Sequence, residues 1–272
     1  MLPENLTNLG NNAFSNCHSI QSIIFNCSKL QALGDWAFSS CQKLTTIDLP
    51  TSILRVGNSC FANCGNLNKV ILRNPNLNIG SDCFNECKAL NTAGPLNSLD
   101  SEGYPVNIEY AWTTKIPNSA FSAGSEQSYL TEVILAPTIK EIGDTAFLNT
   151  KIKTINLPYG LEIIGKSAFT FSKLSSITIP ETTTWIKPMA FSYCRSLSEV
   201  KIYATTTVEE VTDPANAWFA KCKEDLEIQV HPAIFDETLG ILPKQYFGSH
   251  WNFYNFDNQG KELFLNYSAM VI

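Results

Sequence analysis

Charge is scarce in this chain of 272 residues, where Asp, Glu, Lys and Arg make up 16%. The formal net charge is −6, and the whole excess sits in the tail. Residues 1–204 hold 15 acidic and 15 basic side chains, while residues 205–272 hold 10 and 4. No basic stripe forms, so the electrostatic footprint of a nucleic-acid binder is missing. Histidine is rarer still, limited to His18, His231 and His250. None belongs to H-E-x-x-H or accompanies a G-x-S-x-G nucleophile, and neither a P-loop nor G-x-G-x-x-G occurs. The common hydrolase and nucleotide-binding chemistries therefore have no residues to stand on, and no cofactor or resident metal is expected. No apolar run is long enough, at about 18 residues, to cross a membrane. The N-terminus has no basic-then-apolar leader.

What the chain does have is recurrence. Ala-Phe or a close variant returns nine times, at Phe14, Phe38, Phe61, Phe84, Phe121, Phe147, Phe169, Phe191 and Phe219. Successive gaps are 24, 23, 23, 37, 26, 22, 22 and 28 residues. A period near 23 predicts a repeat solenoid, in which each unit buries its apolar face only by stacking on its neighbours. The unit reads L-x-x-I-x-L-P, a linker, then I-G-x-x-A-F-x-x-C, as in Leu44 to Pro50 and Val56 to Cys64. The I-x-L part alternates apolar and polar residues and predicts a short strand with one buried face. Pro50, Pro137, Pro158 and Pro180 end these strands, because proline has no N–H for a ladder. Glycine before the Ala-Phe pair suits either positive φ or close backbone approach. Pro117, Lys187 and Ala215 occupy that slot elsewhere, which argues against an obligatory positive φ. The small-large Ala-Phe pair predicts a tight helical turn with its ring pointing inward.

Two segments depart from the template. Residues 91–115 carry Gly94-Pro95, Asp100-Ser101-Glu102-Gly103 and Tyr104-Pro105, all turn formers. They read as a long loop leaving the solenoid after a degraded strand at Ala93-Gly94-Pro95. The repeats thus span residues 1–230 in about nine units. Residues 231–272 read as a C-terminal capping segment whose aromatic run, Tyr246 to Tyr254, closes the exposed last rung. A carbohydrate platform is the alternative for those rings. The chain opens at Leu2-Pro3, a strand end, and so reads as a fragment or mature product of a longer protein.

Six of the nine cysteines follow a repeat phenylalanine by three positions: Cys17, Cys41, Cys64, Cys87, Cys194 and Cys222. Gly124, Thr150 and Ser172 share that slot, so it selects a small side chain rather than a bridge. Buried thiols with weak S–H bonds to carbonyls are the expectation. The alternatives are a disulfide between neighbouring rungs, or zinc held by Cys60, Cys64, Cys83 and Cys87. His18 is expected at the surface. Three N-x-[ST] sequons occur, at Asn5, Asn26 and Asn266.

The template resembles the BspA-type leucine-rich repeat (the LRR_5 or treponemal class), most clearly over Leu44 to Cys64 and Leu174 to Cys194. The resemblance covers roughly residues 2–230. It implies a right-handed β/α superhelix of short parallel strands, and a surface or secreted protein, adhesin-like, with no catalytic residues.

The leading expectation is therefore an extracellular or cell-surface binding module for a protein partner, with a glycan as the other candidate ligand and no enzymatic activity. The outward strand column should be Ile24, Asp48, Ile71, Gly94, Ile134, Asn156, Thr178, Lys201 and Gln229. Apolar Ile24, Ile71 and Ile134 on a solvated face favour a protein partner. The insertion adds Asp100, Glu102 and Tyr104. A structural spacer presenting another domain is the second possibility, and a hydrolase using Asp100, Glu102 and Glu109 the third.

Overall fold

The structure, a computed structural model, describes residues 2–74, 76–95, 108–110, 114–124, 127–203, 217–223, 226–230, 251–256 and 262–264. It is a solenoid with two strand-bearing faces and a third face made of turns. The first face, the ladder sheet, holds the I-x-L strands, and the second, the rim sheet, holds shorter strands just before the glycine slot. In chain order the strands are β1 (Asn8–Leu9), β2 (Ala32–Leu33), β3 (Thr46–Leu49), β4 (Arg55–Val56), β5 (Lys69–Leu72), β6 (Asn78–Ile79) and β7 (Thr92–Pro95). Then follow β8 (Ile108–Tyr110), β9 (Lys115–Ile116), β10 (Glu132–Val133), β11 (Glu141–Ile142), β12 (Thr154–Ile155) and β13 (Ile163–Ile164). The last are β14 (Ser176–Ile179), β15 (Trp185–Ile186), β16 (Glu199–Ile202), β17 (Leu226–Val230), β18 (Trp251–Phe256) and β19 (Glu262–Phe264).

The ladder sheet runs β12-β10-β7-β8-β5-β3, and a second stretch runs β14-β16-β17-β18-β19. All its pairings are parallel except β18 with β19. The alternation works as the period of two requires: Ile47, Leu49, Val70, Leu72, Ile177, Ile179, Val200 and Ile202 are buried between neighbours that face out. The rim sheet comes in two pieces, β1-β2-β4-β6 and β9-β11-β13-β15.

Nine phenylalanine rings form one stacked column through the interior. Centroids are 5.3–6.0 Å apart and neighbouring planes lie within 19° of parallel. Stacked pairs of this kind add about 0.5–1.5 kcal/mol beyond the area they bury. Apolar residues from each unit's other slots fill the space around the column, with Leu44, Ile53, Val56 and Leu67 all inaccessible or nearly so.

The Ala-Phe segment is not helical, contrary to the expectation from its small-large pair. It consists of successive tight turns. In most units two residues sit at positive φ, two places after the glycine slot and two after the phenylalanine, as at Ser59 (51°) and Asn63 (59°). That alternation points every second N–H along the stack instead of back into its own turn. Ser59, Phe61 and Asn63 donate to the carbonyls of Ser81, Cys83 and Asn85 in the next unit. A helix would use those donors internally, so stacking replaces helix formation.

The glycine slot is decided by close approach. A Cβ on Gly57 would lie 2.5 Å from the Asp35 nitrogen and from the Gly34 carbonyl carbon, and one on Gly165 would lie 2.4 Å from the Gly143 carbonyl carbon.

The insertion is more than a loop. Thr92–Pro95 is a ladder strand, and the chain returns as β8 between β5 and β7. The segment thus adds an out-of-order rung to the ladder sheet. At the C-terminal end β18 and β19 extend the sheet beyond β17.

Candidate interaction surface

Strand register brings the outward column together. Asp48 lies beside Ile71, and Thr178 beside Lys201, which lies beside Gln229. The bridge of Ser22 to Thr46 and the pairings of β10 with β7 and β12 carry the same register to Ile24, Gly94, Ile134 and Asn156. One neighbour was not expected. Because β8 intercalates, Glu109 stands between Ile71 and Gly94. At the far end Tyr254 falls beside Gln229.

The column is uneven chemically. Ile24 is 77% exposed, whereas Ile71 and Ile134 are half-buried. Asn156 and Thr178 are exposed. Asp48 is already engaged, since the Arg73 guanidinium grips its carboxylate through Nε and Nη2 at 2.6 and 2.7 Å. Lys201 pairs with Glu199 at 3.0 Å on its own strand. Gly94 is buried and offers only backbone. Asp100, Glu102 and Tyr104 lie outside the described residues. His18 is exposed, its ring nitrogen 3.0 Å from the Ser40 carbonyl.

The sulfur row is interior. Cys41, Cys64, Cys87, Cys194 and Cys222 each donate to the carbonyl of the preceding unit's phenylalanine, at 3.0–3.3 Å. All nine cysteines are free. Burial pushes the Cys87 and Cys194 thiols up to about 12 and raises Cys60, Cys83 and Cys222 as well. Such thiols stay protonated and are poor nucleophiles. Among the described residues no group of three or more His, Cys, Asp and Glu side chains converges on a point.

Sequence reasoning did not single out two features of the other faces. The first is an amide-carboxylate ladder at the residue after the glycine slot. The side-chain oxygens of Asn11, Asp35, Asn58, Asn118 and Asp144 accept from the next unit's N–H at 2.8–3.0 Å. The Gly-Asn or Gly-Asp dipeptide was its signal. The second is a surface pair, exposed Phe171 and half-buried Tyr193, stacked at 4.6 Å in slots that hold Asn in several other units. Burial alone would raise the Asp144 carboxyl, but the Lys166 N–H and the Lys187 ammonium, 3.1 Å away, hold it below its ordinary value.

Among the described residues no helix is long and apolar enough to cross a membrane. A family model described as a BspA type leucine rich repeat region matches residues 1–101 and 112–232, in six copies. Among solved structures the chain is similar to a leucine-rich repeat protein of Bacteroides ovatus, at 22% identity and a TM-score of 0.57, covering 93% of this chain and 52% of that one. It thus spans about half the length of that relative. Two weaker likenesses are a leucine rich cell surface protein of Faecalibacterium prausnitzii, at 16% identity and a TM-score of 0.48 over 85% and 81% of the two chains, and the pneumococcal vaccine antigen PcpA, at 17% and 0.43 over 94% and 73%. No curated protein matches. The repeats of this chain place it in the BspA-type leucine-rich repeat family.

Proposed function

We propose that this chain is a non-catalytic module that works outside the cell or on its surface and binds a protein through the outward face of the ladder sheet. The exposed apolar side chain of Ile24, in register with Ile71 and Ile134, carries the reading. Apolar groups spaced along a solvated sheet lose water only when a partner covers them. The candidate contact residues are Ile24, Asp48, Ile71, Ile134, Asn156, Thr178 and Lys201, joined by Asp100, Glu102 and Tyr104 from the segment between β7 and β8. Asp48 enters as half of an Arg73 pair, so it offers a partner a polarised, hydrogen-bonded carboxylate rather than a bare charge.

The experiment is adhesion to a panel of immobilised host extracellular proteins. The double variant Ile71→Lys, Ile134→Lys should cost no more than about 1–2 kcal/mol in stability, because both side chains are half-buried at the outward face, and should weaken adhesion tenfold or more while the protein stays folded. Replacing Asp100 to Tyr104 with a glycine-serine linker should weaken it as well. Parent-like adhesion by both variants would exclude this face and favour a spacer that presents another domain.

A further inference from the structure

The rim sheet is broken at one junction, between β6 and β9. At five other rim junctions the N–H of the glycine slot donates to the preceding unit, as Gly80 does to Val56 and Gly143 to Ile116. At the broken junction that slot holds Pro117, which has no N–H. The next fastener is missing too. Ser81 stands where Asn58 and Asn118 extend an amide oxygen to the following unit's N–H, and a serine side chain is shorter than theirs by the amide group.

The edges this leaves are unmatched. In the regular units the carbonyl two places before the glycine slot's strand end accepts from the next rung, as Leu54 does from Asn78. Among the described residues no backbone donor reaches the Leu77 or Ile79 carbonyls, and the Lys115 and Asn118 N–H groups meet no acceptor. Ile79 is 7% exposed, where its counterpart Val56 is 1%. A cleft of about 400 Å³ lies between the two edges, lined by Asn78, Ile79, Ser81, Lys115, Pro117 and Asn118 among others. The ladder sheet shows the matching surplus, since β8 inserts one rung between β5 and β7 at this same level. One face has gained a strand while the opposite face has opened.

We infer that the cleft between β6 and β9 takes an extended segment of a partner polypeptide as an added strand. The argument is complementarity. Facing edges of acceptors and donors in strand geometry are what a peptide backbone satisfies, and main-chain bonds of this kind supply affinity in strand addition. The rim strands point one residue in and one out, so the docked segment presents a single apolar side chain toward Leu77 and Ile79, flanked by small polar residues. The site is separate from the ladder face and does not rest on the function proposed for it.

Two measurements on the full chain decide the matter. Hydrogen exchange on the free protein should find the Lys115 and Asn118 amides exchanging at least a hundredfold faster than their counterparts Glu141 and Asp144; equal protection would overturn the inference. A random dodecapeptide library panned on the protein should then yield peptides with one central apolar residue that protect both amides. Their affinity should fall tenfold or more on N-methylation of the central peptide bonds and on Ser81→Trp, which fills the cleft. The double variant Ile71→Lys, Ile134→Lys should bind them unchanged, so a failure of the ladder-face reading and a failure of this one are told apart. Peptides indifferent to N-methylation, a library that yields none, or a glycan-array signal in place of a peptide each refute the added strand. If Ser81→Trp does not fold, N-methylation and exchange still decide.

Discussion

The junction between Phe147 and Phe169 and that between Phe84 and Phe121 are built on one template and close differently. At the first, the rings stack at 5.3 Å, β11 pairs with β13, Gly165 donates to Ile142, and the Asp144 carboxylate accepts from Lys166. At the second, the rings stand 6.0 Å apart and the rim strands do not pair. Yet the turn face is intact there, with Asp82, Phe84 and Glu86 donating to Asn118, Ala120 and Ser122. The units are therefore joined by separable fasteners. The turn face and the ring column hold a junction when the rim sheet does not.

The largest test of that comparison is the ring column. Phe147→Ala should cost about 3–5 kcal/mol in a urea melt, as buried phenylalanine deletions do. Phe121→Ala, beside the open junction, should cost less, because its ring stands 6.0 Å from Phe84, farther than Phe147 stands from either of its neighbours. Equal losses would mean the open junction is packed as tightly as the regular one.

A smaller effect separates stacked glycines from the end of the array. Gly165→Ala should cost about 1–3 kcal/mol through overpacking against Gly143 and Asp144. Gly10→Ala should stay within about 0.5 kcal/mol, since no atom lies within 4 Å of its would-be Cβ. Thermal melts of both variants check the pair, and a neutral Gly165→Ala would break the account of the slot.

The smallest effect concerns pH. The Asp144 carboxyl is lowered in the fold, so its contribution is full above the ordinary value of 3.8 and fades as pH falls through the folded value. Its side chain is 40% exposed, so screening keeps the contribution well under about 1 kcal/mol. Asp144→Asn keeps an amide oxygen for the Lys166 N–H and should flatten the acid limb of the stability curve. Ser81→Ala, at the junction with no such ladder, should leave that limb unchanged.

These comparisons also show where the sequence was informative. Inward positions are legible because Ile47, Val56, Phe61 and their counterparts must be apolar in every unit, so their spacing survives all other variation. The rim sheet is not legible, since two residues per unit, such as Arg55-Val56, are too few to display a period. The turn face misleads for a different reason. Its positive-φ positions hold Asn or Ser in several units, as at Asn12, Asn63 and Ser119, but Trp36, Phe171, Met189 and Tyr193 hide the signal. The strand β8 is concealed by order: it pairs backwards, into a place in the sheet that its position along the chain does not suggest. At the candidate surface the alternation identifies which residues face out, whereas the grip of Arg73 on Asp48 and the arrival of Glu109 depend on which rungs are neighbours.

The regular spacing of the phenylalanines also bears on how the chain reaches its fold. Partners in neighbouring rungs are separated by 22–24 residues across most of the array, whatever the number of rungs. Absolute sequence separation therefore does not grow as units are added, and relative contact order falls, the condition under which chains fold quickly for their size. Only the step from Phe84 to Phe121 spans 37 residues. Closing that loop instead of one of 23 residues costs about 0.4 kcal/mol more in chain entropy. An array built this way can acquire a long excursion at one rung with little delay to the rest, and the rung that bears it is the last expected to zip.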